Sequence, residues 1–364
     1  MTATLPGSAG SGRGRSATAP ASLAWARDLV QPALRAAVDR LDPQLRPVVG
    51  YHLGWLDEHG QPVRTSGGKA VRPALTLLAA QAAGGQAQAA VPGAVAVELV
   101  HNFSLVHDDL MDRDVSRRHR ATVWSLWGDA TAVLAGDAML SLAHEVLLEC
   151  GSPYAARAGA VVAAGTRELV HGQALDMAFE RRDRVSVAEC EQMAAGKTGA
   201  LMSASAAVGA VLAGAAQPVV TGLADYGAQV GLAFQLVDDL LGIWGDPAVT
   251  GKPVHSDLRA GKKSLPITWA VEHGGEAGTA LARWLARDRD GAREPSDLQE
   301  AAGLVERSGA RAWAAAQAAR RIDQATRGLD PLAVADGDGA DRAEALAALD
   351  QLRTLAHFVV DRQA

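Results

Sequence analysis

Two short acidic runs carry the chemistry this sequence can do. The first is DDLMD, Asp108 to Asp112, at the end of the apolar stretch Val95–Arg120. Asp108 and Asp112 lie one helical turn apart, so a helix would point both carboxylates the same way, with Asp109 flanking them. Acids crowded at one helix end repel one another unless a cation sits between them. A hard divalent ion, Mg²⁺ above all, suits such an oxygen set, with phosphate oxygens completing its shell. Arg117 and Arg118 follow closely, and arginines beside metal-holding acids describe a site for a metal–diphosphate complex. Taken alone, DDLMD could equally be a solvated helix end.

A second copy weighs against that bland reading. FQLVDDLLG, from Phe234 to Gly242, again sets an acid pair, Asp238 and Asp239, in an apolar helical stretch. Basic residues follow again: Lys252, Arg259, Lys262 and Lys263. Sinking two Asp pairs into such apolar helices is costly without metal or cationic partners. Two such helices facing one cavity would bind metal ions and one polyanion.

The elements that must position these groups are helices. Val95, Leu99, Phe103, Val106 and Leu110 recur at steps of three and four, and a polar stripe of His101, Ser104, Asp108 and Asp112 runs beside them. The stretch reads as a single helix from Val95 to Arg120 ending in charge. Further helices are predicted over Ala21–Asp39, Asp42–Glu58, Ala130–Leu148, Tyr154–Phe179, Val187–Ala216, Thr221–Trp244, Ser264–His273, Gly278–Ala286, Ser296–Glu306, Gly309–Arg327 and Arg342–Asp361. Asp42 suits an N-cap with Pro43 behind it. Pro73 suits a helix start, which sets Arg72 at an N-terminus where backbone N–H groups welcome an anion. No strand alternation is sustained, so the fold class is all-α.

Composition narrows the classes. A net charge of −6 over 364 residues argues against a nucleic-acid binder. Two cysteines, Cys150 and Cys190, form no disulfide framework and suit a reducing cytoplasm. No run is convincing as a transmembrane segment; Leu201–Ala216, the longest apolar one, is short and rich in Ala and Gly. Residues 1–20, rich in Gly, Ser and Ala, read as a disordered tail, and residues 21–364 as one domain.

From Gly67 to Ser264 the chain resembles the trans-isoprenyl diphosphate synthases, the polyprenyl synthetases. The resemblance rests on an ordered set: GGKAVRP with Lys69 and Arg72, His101, DDLMD with Arg117 and Arg118, Gly136–Asp137, Gly172–Gln173, Lys197–Thr198, FQLVDD and the GK-rich loop. It implies a large helical bundle around a deep central cavity, Mg²⁺, and a homodimer. It implies condensation of an allylic diphosphate with isopentenyl diphosphate, most readily to geranylgeranyl diphosphate, with farnesyl diphosphate next. By the same resemblance Asp108, Asp112 and Asp238 hold metal, with Asp109 and Asp239 in support. Arg117, Lys197, Lys252 and Lys262 hold the allylic diphosphate, though Lys263 beside Lys262 leaves that match open. Lys69, Arg72, His101 and Arg118 hold the isopentenyl diphosphate, and Thr198 and Gln235 steady the cation. Phe103, five residues before Asp108, would floor the pocket and keep products short; plain core is its other reading.

Two departures stand out. Gly242 occupies the position where the first motif has its last acid, and RRHRAT replaces the family's Arg-Arg-Gly-x-Pro-Thr. A terpene cyclase and a non-catalytic subunit of a heteromeric synthase are the alternatives. A cyclase needs no Lys69, Arg72 and second Asp pair for a second diphosphate. The intact first motif and the lysine loops weigh against an inert subunit.

Overall fold

The computed structural model describes residues 19–63, 68–247, 253–286, 294–334 and 340–360. Its helices, in order, are α1 (Ala21–Val38), α2 (Leu45–His52), α3 (Val71–Ala82), α4 (Val91–Met111), α5 (Val123–Trp127), α6 (Asp129–Leu148), α7 (Ala155–Glu180), α8 (Val187–Ala194), α9 (Ala200–Leu212), α10 (Gln217–Trp244), α11 (Ser256–Ala260), α12 (Leu265–His273), α13 (Gly275–Leu285), α14 (Pro295–Arg307), α15 (Ala310–Gly328) and α16 (Ala340–Val360). The fold is all-α, as the helical periodicity predicts. The exception among the described residues is a two-residue hairpin, β1 (Ser116–Arg117) with β2 (Arg120–Ala121).

The main core joins α1, α3, α4, α6, α9 and α10 through close-packed Leu, Val and Ala, including Leu75, Leu99, Met139, Leu201 and Leu223. Small residues let these helices approach closely. A Cβ on Gly172 of α7 would collide with the backbone of Lys197, and one on Gly209 of α9 with the Thr76 carbonyl. A second cluster around Ile243, Leu258, Ile267, Leu281 and Trp284 seats α11–α14 on the end of α10.

Four expectations are corrected here. The central helix does not reach Arg120: α4 stops at Met111 in a Schellman turn. Asp114 N–H donates to Asp109 O (3.0 Å) and Arg113 N–H to Leu110 O (3.4 Å). Arg113 takes the left-handed position, φ 57°, that glycine usually fills, so the sequence gives no stop signal. The helix expected over Asp42–Glu58 is only α2. Asp42 bonds the Gln44 N–H (2.8 Å) outside the helix, and the chain turns at Gly54, φ 77°. Pro73 is the third residue of α3, which starts after Ala70 in a left-handed conformation. Between α8 and α9 the stretch Ala195–Gly199 is a π turn.

Candidate active site

Four elements bring the predicted residues to one region. The C-terminal turn of α4 presents Asp108 and Asp112, i and i+4, toward it. Burial raises the Asp108 pKa, Lys197 pulls it down and Asp112 pushes it up again. Asp109 points elsewhere. Its carboxylate is buried and accepts a 2.7 Å hydrogen bond from Arg117 Nε. Burial still lifts its pKa to about 6 against that partner. Asp109 therefore anchors an arginine rather than joining Asp108 and Asp112.

The hairpin after α4 carries Arg117 and Arg118. Arg118 and His119 fill its two central positions, both left-handed at φ 51° and 62°. That is the geometry of a type I′ turn, built here without glycine. Arg120 Nη1 and Nη2 donate to the Tyr51 and Leu56 carbonyls (2.9 and 2.6 Å), and Tyr51 Oη donates to Ala121 O (2.8 Å). The hairpin is thereby tied to the end of α2.

A cationic pocket forms beneath it. Arg118 acts on Arg72 of α3, His101 and His52 alike, Arg72 also acts on His101, and Glu98 is the acid that opposes the two arginines. Burial lowers the Arg72 pKa to about 10, with Arg118 adding to the effect. Burial and the surrounding arginines hold His101 well below its ordinary value and His52 at about 3, so both imidazoles are neutral. Arg72 Nε and His52 Nε2 are out of solvent with no hydrogen-bond partner. Unsatisfied buried donors amid excess positive charge are what an anion site looks like without its anion. Lys69 is exposed at the rim on the approach to α3.

The π turn raises Lys197 and Thr198 opposite α4. Lys197 Nζ donates to Asp176 of α7 at 2.6 Å. Thr198 Oγ1 donates to Gln235 Oε1 (2.6 Å), Gln235 Nε2 to Asp239 Oδ1 (2.7 Å), and Asp239 Oδ2 accepts from the Leu265 N–H (2.9 Å). Asp239 thus caps α12 and fixes the Gln235 amide, while burial first and Asp257 second push its own pKa to about 8. Asp238, its neighbour, is exposed.

Lys262 closes the ring. Burial pulls its pKa down, but Asp257, Asp176, Asp112 and Asp239 around it raise it above the ordinary value. It senses both acidic motifs. Lys263, by contrast, is buried with its Nζ near Gly261 O. The open choice between the two lysines therefore falls to Lys262. Lys252 lies outside the described residues.

Sequence reasoning left out Asp176, His52 and Asp257, and named Gln173 without giving it a role. Asp176 and Gln173 sit on α7, Gln173 buried with both amide atoms unpartnered. His52 ends α2, and Asp257 starts α11. Asp176, three residues past the Gly172–Gln173 pair, was the one a local motif could have flagged.

Mg²⁺ is the group this donor set fits. Asp108, Asp112 and Asp238 offer only carboxylate oxygens, the hard ligands it takes. Among the described residues no three Asp, Glu, His or Cys side chains close on one point.

The polyprenyl synthetase family pattern matches residues 54–303. A (2E,6E)-farnesyl diphosphate synthase of Mycobacterium bovis is 58% identical over 94% of this chain and 93% of its own. A geranylgeranyl diphosphate synthase of Mycobacterium tuberculosis is 42% identical over 82% and 85%. A solved polyprenyl synthetase from Streptomyces coelicolor A3(2) superposes with a TM-score of 0.87 at 47% identity, covering 94% of this chain and 99% of that one.

Proposed function

The chain belongs to the polyprenyl synthetase family, and we propose that it joins an allylic diphosphate to isopentenyl diphosphate and stops at farnesyl diphosphate. It is a trans-prenyltransferase making short-chain polyprenyl diphosphates. The observation that carries the reading is the pairing of two anion-seeking clusters: Asp108, Asp112 and Asp176 with Lys197 and Lys262, and Arg72, His101 and Arg118.

Asp108, Asp112 and Asp238 would hold Mg²⁺, which would supply charge neutralisation for the diphosphate leaving group. Lys197 and Lys262 bind the same diphosphate. Arg117 keeps its Nε on Asp109 and offers its terminal nitrogens. Arg72, Arg118 and Lys69 hold the second diphosphate, with neutral His101 as a hydrogen-bond donor beside them. Thr198 has one proton and gives it to the Gln235 carbonyl, while one N–H of the same amide goes to Asp239. The lone pairs of Thr198 Oγ1 therefore point away from that bond, the negative end a carbocation seeks.

Product length depends on Phe103. Its buried ring meets His107 edge-on, centroids 5.4 Å apart at 87°. His107 fills the notch left by Gly136, where a Cβ would overlap its ring. The similarity to a farnesyl diphosphate synthase supports a 15-carbon product. The geranylgeranyl product expected from the sequence remains the second reading, supported by the 42% identical relative.

A homodimer completes the proposal. α6 is long and apolar enough to cross a membrane by composition, as is the Ala87–Met111 stretch, but 72% of the latter window is buried core and only 39% of the former. Val133, Leu134 and Leu148 of α6 and Val170 and Met177 of α7 are exposed. A second copy of the chain is the occupant we assign to this face. Cytoplasmic placement belongs to the same reading, supported by the free thiols of Cys150 and Cys190.

The test is incubation of purified protein with labelled isopentenyl diphosphate and each allylic diphosphate, with Mg²⁺ and then a chelator, followed by dephosphorylation and sizing. Metal-dependent C15 alcohol is expected, and C20 would favour the second reading. No incorporation with any primer overturns the proposal. A hydrocarbon released from the allylic substrate alone would mark a cyclase.

A further inference from the structure

The two acidic motifs are unequal. The first reads Asp108, Asp109, Asp112; the second reads Asp238, Asp239, Gly242, with no acid one turn on. The space at Gly242 is nonetheless filled by a carboxylate. A Cβ built on Gly242 would collide with Oδ1, Oδ2 and Cγ of Asp257, the furthest of them 2.6 Å away.

Asp257 is held there by its own segment. His255 Nδ1 bonds the Ile243 carbonyl at 2.6 Å, and Ser256 Oγ donates to the Gly242 carbonyl at 3.2 Å. His255 adopts a left-handed conformation, φ 62°, to make this approach. The start of α11 is therefore clamped along the last turn of α10, and any side chain at 242 would lift it off. Asp257 is buried, and its backbone carbonyl accepts a 2.9 Å hydrogen bond from the Lys262 N–H. Lys262 also answers to Asp112 and Asp176. The Asp257 carboxylate thus lies against the last turn of the second acidic helix.

We propose that Asp257 supplies the third carboxylate of the second acidic motif, delivered from α11 onto the bare Gly242 rather than grown from α10. This rests on the metal–diphosphate reading of the site. Gly242 and Asp257 form one unit: the missing side chain makes room for the replacing one. Gly242 is then no defect in the motif, and an acid restored at 242 displaces the acid already there.

The test is calorimetric titration of the full chain with inorganic diphosphate, with and without Mg²⁺, alongside thermal melting. Wild type is expected to bind diphosphate only with Mg²⁺. Asp257→Asn, which keeps shape and docking, should weaken Mg²⁺-dependent binding at least about tenfold with an unchanged melting temperature. Gly242→Asp should lose binding through the collision, and Gly242→Asp combined with Asp257→Gly should bind better than either single variant. Unchanged affinity in Asp257→Asn overturns this inference alone. A folded double variant no better than Asp257→Asn overturns it too. Wild-type protein that binds no Mg²⁺–diphosphate overturns the function reading beneath it.

Discussion

Asp109 and Arg117 form a 2.7 Å ion pair in which the carboxylate is buried and the guanidinium is part-exposed. One acid of the DDLMD run thus holds the hairpin that carries two arginines, while Asp108 and Asp112 act on each other and Asp108 on Lys197. Asp109→Asn keeps the shape and removes the charge. Burial already disfavours that charge, lifting the Asp109 pKa to about 6, so stability in chemical denaturation should hold or rise. The substitution should weaken isopentenyl diphosphate binding through the loosened hairpin. Unchanged isopentenyl diphosphate binding would show that the pair anchors nothing.

The Thr198–Gln235–Asp239–Leu265 relay predicts a different pattern. Gln235→Leu leaves the buried Asp239 carboxylate without one partner and Thr198 without its acceptor. A loss of about 1–3 kcal/mol is expected from the unsatisfied carboxylate. Steady-state kinetics should show kcat falling more than either KM changes, because the relay orients an oxygen toward the reacting carbon. A pure KM effect would contradict that role.

Phe103→Ala opens the space below Asp108. Product sizing should then show chains longer than wild type makes. Val95, one turn and more away on the same helix, is buried core and serves as the control: Val95→Ala should lower the melting temperature without changing product length. An unchanged product distribution in Phe103→Ala would leave that ring as core alone.

Much of this could be read from the chain itself. Regular apolar spacing marks nearly every helix, and acids at i and i+4 announce the metal-facing stripe. What could not be read is where non-glycine residues take left-handed conformations. Arg113 ends α4, and Arg118 with His119 turns the hairpin, yet none carries the glycine that signals a stop or turn. Partnerships across the fold were equally hidden. Asp176 meets Lys197, and Asp257 meets Gly242, only once separate helices have packed.

Two buried neutral imidazoles give a pH dependence. The His52 pKa falls from 6.5 to about 3 on folding, chiefly through burial. His101 moves the same way. A lowered histidine pKa means the unfolded chain takes up protons first, so stability is present above pH 6.5 and is lost as pH falls toward 3. Thermal melting across that window should show the decline, and His52→Asn should flatten it. An equal decline in the variant would assign the acid sensitivity elsewhere.

The exposed face of α6 predicts assembly. Leu134 and Leu148 are 56% and 67% exposed in the single chain. Light scattering should give twice the chain mass, and Leu134→Lys should shift the protein toward monomer by burying an unpaired charge in the contact. A monomeric wild type would remove the dimer proposal.

The π turn at Ala195–Gly199 has a consequence for the length of the chain. An i→i+5 turn accommodates one residue more than an α-helix would use. Deleting a single residue there would let α8 and α9 run on as one regular helix and remove the bulge that displays Lys197 and Thr198. Lys197 or Thr198 would then face the core with every amino acid type in the neighbourhood still correct. The cavity wall is in this sense counted as well as composed, and an insertion or deletion there is a more severe lesion than a substitution.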